Sequence, residues 1–377
     1  MNPRVTAIAG SLIREVAAKR KPGGIDLGLG EPSLMPNPVH LEAGMVYAQR
    51  HGLRYTVNAG DPHLRELIAA HYGYPHMRGA ENVCVTTGSQ EATYAVLKTV
   101  LDPARDELLV VEPAFPSYGK MAALEGVTVR TVQMQEDDGF AFDPERIQAA
   151  LTARTRLIVI CSPCNPTARV IRRAQVTALS EILQRRGGEP VWVLHDEIYR
   201  EQTFVDDAGY FAEVYPYTIV TNSLSKSNAL TGLRLGWAIA PADVAANIVK
   251  VHAWLTSCAD TFAQAVARSV FEHPGGVREQ TWWYKERHEQ VVDALAASGI
   301  RYIDPEGSFY ACVRLPDGME SLPAALDLAD HHDVVAIPGI AFGKSFEGWL
   351  RLSWVSSPPD VRTGIERIAE YCSLRTM

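Results

Sequence analysis

The sequence predicts an α/β protein, with a large domain whose mostly parallel sheet is covered by helices and a smaller α+β domain beside it. Short apolar runs separated by helical patterns are the first sign: ELLVVE (107–112), RLIVIC (156–161), VWVLH (191–195), TIVTN (218–222) and LGWAIA (235–240). Between the second and third runs, Val176, Leu179, Ile182 and Leu183 recur at helical spacing, and Gly187-Gly188 ends that helix. Strand, helix, strand with no polar alternation in the strands means a sheet buried on both faces, the hallmark of parallel pairing. Length is the third sign, since 377 residues exceed what one small core requires.

After about residue 275 the texture changes. A polar helix is expected over 282–298 (WWYKERHEQVVDALAAS), then strands in FYACVRL and VVAIP, then a terminal helix near 359–372. The expected division is a large domain over 40–275 and a small domain built from 1–39 and 276–377. No internal repeat or low-complexity tract interrupts it.

Composition narrows the function. Hydrophobic residues make up 47% and charged residues 21%, the balance of a globular chain. A formal charge of −8 argues against nucleic acid or an anionic membrane as partner, while leaving room for a local basic pocket. No apolar stretch reaches the roughly 20 residues a membrane helix needs. The opening MNPRVTAIAG lacks a secretory pattern, and six scattered cysteines read as reduced thiols, so a cytoplasmic protein is expected. Cys161 and Cys164 have CxxC spacing, but there is no second pair and no histidine at ligand spacing. They read as a strand end and its turn, and no metal is expected.

In open parallel sheets, ligands sit beyond the carboxyl ends of the strands, so the residues after each run are the candidates. Ser89-Gln90 comes after VTTG and opens a helix; Asn165 comes after RLIVIC; Asp196-Glu197-Ile198-Tyr199 after VWVLH; Ser223-Leu224-Ser225-Lys226 after TIVTN. The helix start offers free N–H groups and a positive dipole end, with Gly88 allowing close approach of an anion. Neither GxGxxG nor GxxxxGK[ST] occurs in the chain, but a phosphate held by Ser89, Ser223 and Arg234 needs no such loop. Lys226 is the residue that most needs explaining, because an ammonium beside an apolar strand is costly unless something uses it.

Asn165-Pro166-Thr167, the DExY of 196–199, SLSK ending at Lys226, Arg234 eight positions later in TGLRLGW and Arg351 in RLS resemble, in that order, a known family. It is the class I/II aminotransferases of fold type I, the aspartate-aminotransferase-like enzymes that use pyridoxal 5'-phosphate. The resemblance runs from LGLGEPS (27–33) through YTVNAGDPHLRELIA (55–69) to FGKSFEGWLRLSW (342–354). It implies an amino transfer from an L-amino acid to a 2-oxo acid by a ping-pong mechanism, with Lys226 holding the cofactor as a Schiff base and moving the proton. Asp196 would face the pyridine nitrogen, and Tyr199 and Asn165 the ring's phenolic oxygen. Phe115 would lie on the ring face, where relatives often carry Trp or Tyr. Ser89, Ser223 and Arg234, with Gly88 and Gln90 beside them, would hold the phosphate. Tyr55 would reach the phosphate from a neighbouring subunit, implying a homodimer. Arg351, aided by Gly30 and Asn165, would grip the substrate α-carboxylate.

Some positions depart from the family pattern. Ala168 stands where glycine is usual, Glu91 beside the phosphate site is expected to point away, and His195 reads as a packed strand residue. No second arginine for a dicarboxylate side chain is evident. The alternative on the same fold and cofactor is an elimination or cyclisation, as in carbon–sulfur lyases or capreomycidine synthase-like enzymes. A cofactor-sensing regulator module is a third reading; only about 40 residues precede the core, too few for the DNA-binding domain it would carry.

Overall fold

The computed structural model describes residues 1–375. Its strands are β1 (Ile25–Asp26), β2 (Val83–Thr86), β3 (Glu107–Glu112), β4 (Thr128–Gln133), β5 (Thr155–Cys161), β6 (Trp192–Asp196) and β7 (Thr218–Ser223), followed by β8 (Gly236–Ile239), β9 (Tyr302–Ile303), β10 (Tyr310–Arg314), β11 (Val334–Val335), β12 (Ile337–Pro338) and β13 (Trp349–Ser353). The large sheet has seven strands in the order β2-β8-β7-β6-β5-β3-β4. Strands β3 to β7 pair in parallel, while β8 runs antiparallel to both β7 and β2.

The unbroken apolar runs are explained by packing on both faces. Along β5, Leu157 and Val159 face one helix layer with Ala92, Val96 and Ile248, whereas Ile158 and Ile160 face the other with Val176 and Leu179. Each step along the strand changes core, so neither face can afford a polar residue. At the edge, β4 (TVRTVQ) buries only Val132, which is why no apolar run announces it.

A second sheet, β12-β13-β10-β9, is antiparallel. The helices around it include Thr281–Ser298, Ser321–His331 and Pro358–Ser373. The stretch VVAIP divides into β11 and β12 at Ala336. Strand β1 pairs with β11, and Leu27 continues the link by accepting from the Ser353 N–H at 2.7 Å. Earlier residues lean the other way: Arg4 donates to the Glu125 carbonyl at 3.1 Å, and Lys120 to that of Gly10 at 2.8 Å, tying the chain start to the helix Ser117–Glu125.

Candidate active site

Parallel register aligns the carboxyl ends of the central strands, with Cys161 opposite Asp196 and Asp196 opposite Thr221. The residues at and just past these strand ends are therefore delivered to one edge: Asn165 after β5, Asp196 ending β6, and Lys226 on the short helix Leu224–Ser227 after β7. The reversed β8 presents its beginning there instead. Its Gly236 lies opposite both Ser223 and Thr86, which brings Arg234 and the loop 87–89 together. Two glycines permit the closeness. A Cβ on Gly236 would stand 2.3 Å from the Ser89 nitrogen, and one on Gly88 (φ +81°) 2.7 Å from Nη2 of Arg234.

The result is a cleft of about 640 Å³. Of the residues singled out in the sequence, Gly30, Ser89, Gln90, Phe115 and Asn165 line it, as do Asp196, Tyr199, Lys226, Arg234 and Arg351. Gly88 stands behind the wall against Arg234. Ser223 is buried, its hydroxyl accepting from the Ser225 N–H at 3.1 Å. Tyr55 is away from the wall and 87% exposed.

The charges in the cleft are poorly compensated by the protein. Lys226 Nζ donates to the Gly30 carbonyl at 2.6 Å, and burial, reinforced by Arg351, Arg234 and Arg14, lowers its pKa to about 8 against the pull of Glu31. Asp196 accepts from the Tyr118 hydroxyl at 2.6 Å and the Thr221 hydroxyl at 3.3 Å. Burial nevertheless raises its pKa above the usual carboxylate value. Tyr199 and Tyr310 share a hydrogen bond of 3.0 Å between their hydroxyls. Arg351 is buried between the Tyr310 and Phe342 rings, 4.3 and 5.0 Å from their centroids. It donates to Asn165 Oδ1 at 3.0 Å and to the Gly28 carbonyl, and its Nε is buried without a partner among the described residues. Phe115 meets Tyr118 edge-on at 6.0 Å.

Glu91 turns away from the cleft to His252 Nδ1 at 2.7 Å, and also accepts from the Thr87 N–H at 2.5 Å. Ala168 adopts φ +59°, the left-handed region where glycine is strain-free. His195 packs against the Phe211 ring, with Nδ1 3.1 Å from Glu197. Burial raises the pKa of both Cys161 and Cys164, and the described residues contain no cluster of three metal-ligating side chains.

Sequence reasoning missed Tyr118, Tyr310 and Arg14. Tyr118 closes the EPAFPSY segment and could have been found as a hydroxyl near Asp196 only from the fold. Tyr310 lies in β10, on the other sheet, and Arg14 on the helix Leu12–Ala17, outside any motif.

The profile described as Aminotransferase class I and II matches residues 22–368. The chain is 32% identical to a probable N-acetyl-LL-diaminopimelate aminotransferase of Bacillus subtilis, over 98% of this chain and 94% of that protein. It is equally identical, 32%, to an aspartate aminotransferase of Pyrococcus horikoshii, covering 97% and 95% of the two. Among solved structures, the aspartate aminotransferase of Thermotoga maritima superposes with a TM-score of 0.92 at 28% identity, covering 99% of this chain and 100% of that one. The chain belongs to the class I and II aminotransferases and is a transaminase that uses pyridoxal phosphate.

Proposed function

We propose that the cleft moves the amino group of an L-amino acid to a 2-oxo acid in two half-reactions, with Lys226 as covalent anchor and proton carrier. The observation that supports this most is the meeting, at one sheet edge, of a lysine of lowered pKa and an under-compensated buried carboxylate, Asp196.

The residues suit pyridoxal phosphate. Asp196 has hydroxyl and backbone N–H donors but, among the described residues, no cation at bonding distance, so a protonated pyridine nitrogen would complete it. The glycine cradle at 88 and 236 keeps the start of the helix Ser89–Val100 open beside Arg234, which suits a phosphate dianion. Ser223 and Gln90 belong to the same end, Phe115 to the ring face, and Tyr199 with Asn165 to the phenolic oxygen. When bound, the cofactor supplies an aldehyde that condenses with amines and a ring that accepts the electron pair left at Cα.

The protein's own work is positioning and proton transfer. Arg351, held by Asn165 and aromatic on two sides, presents a preset guanidinium to the substrate α-carboxylate, aided by Gly30. That grip fixes which Cα bond faces the lysine. Once released from its covalent role, Lys226 Nζ removes the Cα proton; its lowered pKa leaves an appreciable neutral fraction near neutral pH.

The reading includes domains of 40–275 and of 1–39 with 276–377, consistent with a seven-stranded sheet drawn wholly from the first and a four-stranded sheet and the β1-β11 pair drawn wholly from the second. It includes a homodimer in which Tyr55 enters the partner's cleft. Leu53, Tyr55, Val57, Trp254 and Leu255 are exposed, and the Asn58 side chain donates to the Ser257 carbonyl at 2.7 Å, joining the two stretches. Exposed apolar groups so gathered mark a contact surface. A cytoplasmic setting accords with six free cysteines. The test is to add amino donors to the purified, cofactor-loaded protein and follow its yellow absorbance. Bleaching with release of 2-oxo acid, lost by on the order of 10⁴-fold in Lys226→Ala, is expected. Bleaching that survives the substitution overturns the assignment.

A further inference from the structure

The helix Ser89–Val100 carries a carboxylate in the turn where an anion would bind. Glu91 is its third residue, and a free negative charge there would repel a phosphate. The fold commits that charge elsewhere. Oε1 of Glu91 lies 2.7 Å from Nδ1 of His252, on the helix Ala242–Thr256, and Oε2 accepts the Thr87 N–H at 2.5 Å. His252 is fully buried, with its Nδ1 also 3.3 Å from the Thr256 hydroxyl. Burial would raise the pKa of Glu91, but the bonds from His252 and Thr87 outweigh it and hold the carboxyl below its usual value.

The same contact decides which backbone donors face the cleft. The Thr87 N–H goes to Glu91 and the Gly88 N–H to the Thr86 carbonyl at 2.9 Å, while the Thr86 hydroxyl donates to the Gly88 carbonyl at 3.0 Å. No side chain caps the helix. The N–H groups of Ser89 and Gln90, both residues of the cleft wall, are therefore left for a ligand. A glutamate at the third helical position that reaches back to the chain before the helix is half of a capping box. The other half, a capping side chain, is missing because Gly88 stands there.

We propose that Glu91 is a positioning residue for cofactor uptake: anchored by His252, it draws back the Thr87 amide and holds 87–89 in the shape that offers the Ser89 and Gln90 N–H groups to the phosphate. This rests on the reading that the phosphate sits at that helix start beside Arg234. Neither Glu91 nor His252 belongs to the cleft wall, so both act through the backbone between them and the ligand.

The test titrates the cofactor-free protein, followed by absorbance, with pyridoxal 5'-phosphate and with pyridoxal, which has the same ring and aldehyde but no phosphate. Glu91→Ala is expected to lower the affinity for pyridoxal phosphate by about 10-fold and that for pyridoxal by less than about 2-fold. Glu91→Gln keeps an oxygen for the Thr87 N–H and should stay within about 3-fold of the unsubstituted protein. His252→Leu should weaken pyridoxal phosphate binding much as Glu91→Ala does, by freeing the carboxylate. The double variant His252→Leu/Glu91→Gln should recover most of that loss, and it carries the comparison if Glu91→Ala does not fold. The phosphorus-31 resonance of the bound cofactor should move in Glu91→Ala and stay in place in Glu91→Gln. Equal losses for the two aldehydes, or a loss in Glu91→Gln as large as in Glu91→Ala, overturn the proposal. If neither aldehyde gives a yellow adduct but calorimetric binding of inorganic phosphate still falls in Glu91→Ala, the Lys226 assignment fails and the positioning role stands.

Discussion

Asp196 and Glu197 are consecutive and both buried, yet the protein treats their charges in opposite ways. Burial would raise the pKa of Glu197 too, but Arg200 at 2.6 Å, His195 at 3.1 Å and the Tyr74 hydroxyl hold it at about 2. Arg200 is itself pinned over the Tyr210 ring, 3.7 Å from the centroid. All of these partners come from the protein itself. Asp196 is offered two hydroxyls and the Ile198 backbone N–H, with no ion pair among the described residues, and burial wins. A buried carboxylate with all its partners is scaffolding, whereas one left short of a cation marks where a cationic ligand group belongs.

The contrast can be broken most forcefully by neutralising each member. Asp196→Asn should reduce kcat on the order of 10²- to 10³-fold, yet leave the urea midpoint of the cofactor-free protein unchanged or raised, because a neutral amide escapes the burial penalty. Glu197→Gln should cost roughly 3–5 kcal/mol of stability in urea unfolding by stranding Arg200. The double variant Glu197→Gln/Arg200→Met should recover part of that loss. Comparable destabilisation at 196 and 197 would erase the distinction.

A gentler probe is pH. Lys226 must be neutral to attack an aldehyde, and its lowered pKa means that the neutral fraction rises through about 8 and then levels. Uptake of pyridoxal phosphate by the cofactor-free protein, followed by absorbance, should be about tenfold slower at pH 7 than at its plateau. An increase continuing toward pH 10 would show an ordinary lysine. The smallest effect concerns Ala168. Glycine there removes left-handed strain but loosens the unfolded chain, so Ala168→Gly should gain no more than about 1 kcal/mol in urea unfolding.

Much of this was legible from residues alone. Buried central strands announce themselves because both faces are apolar, and the chemistry-bearing residues come directly after them at strand ends. Direction was not legible: LGWAIA looks like its parallel neighbours, and only pairing shows that β8 runs backwards and delivers Arg234 by its beginning. Edge strand β4 was hidden by its polar exposed residues. Tyr118, Tyr310 and Arg14 reach the cleft through tertiary folding from three different elements, which no local pattern encodes.

The reversal of β8 also acts as a ruler. Lys226 and Arg234 ride on one arc whose ends are clamped by neighbouring strands, with Gly236 wedged against the Ser89 nitrogen. A single residue inserted or deleted within 227–233 would slide one grip past the other while leaving every side chain in the cleft chemically intact, so loop length here is as constrained as any residue identity.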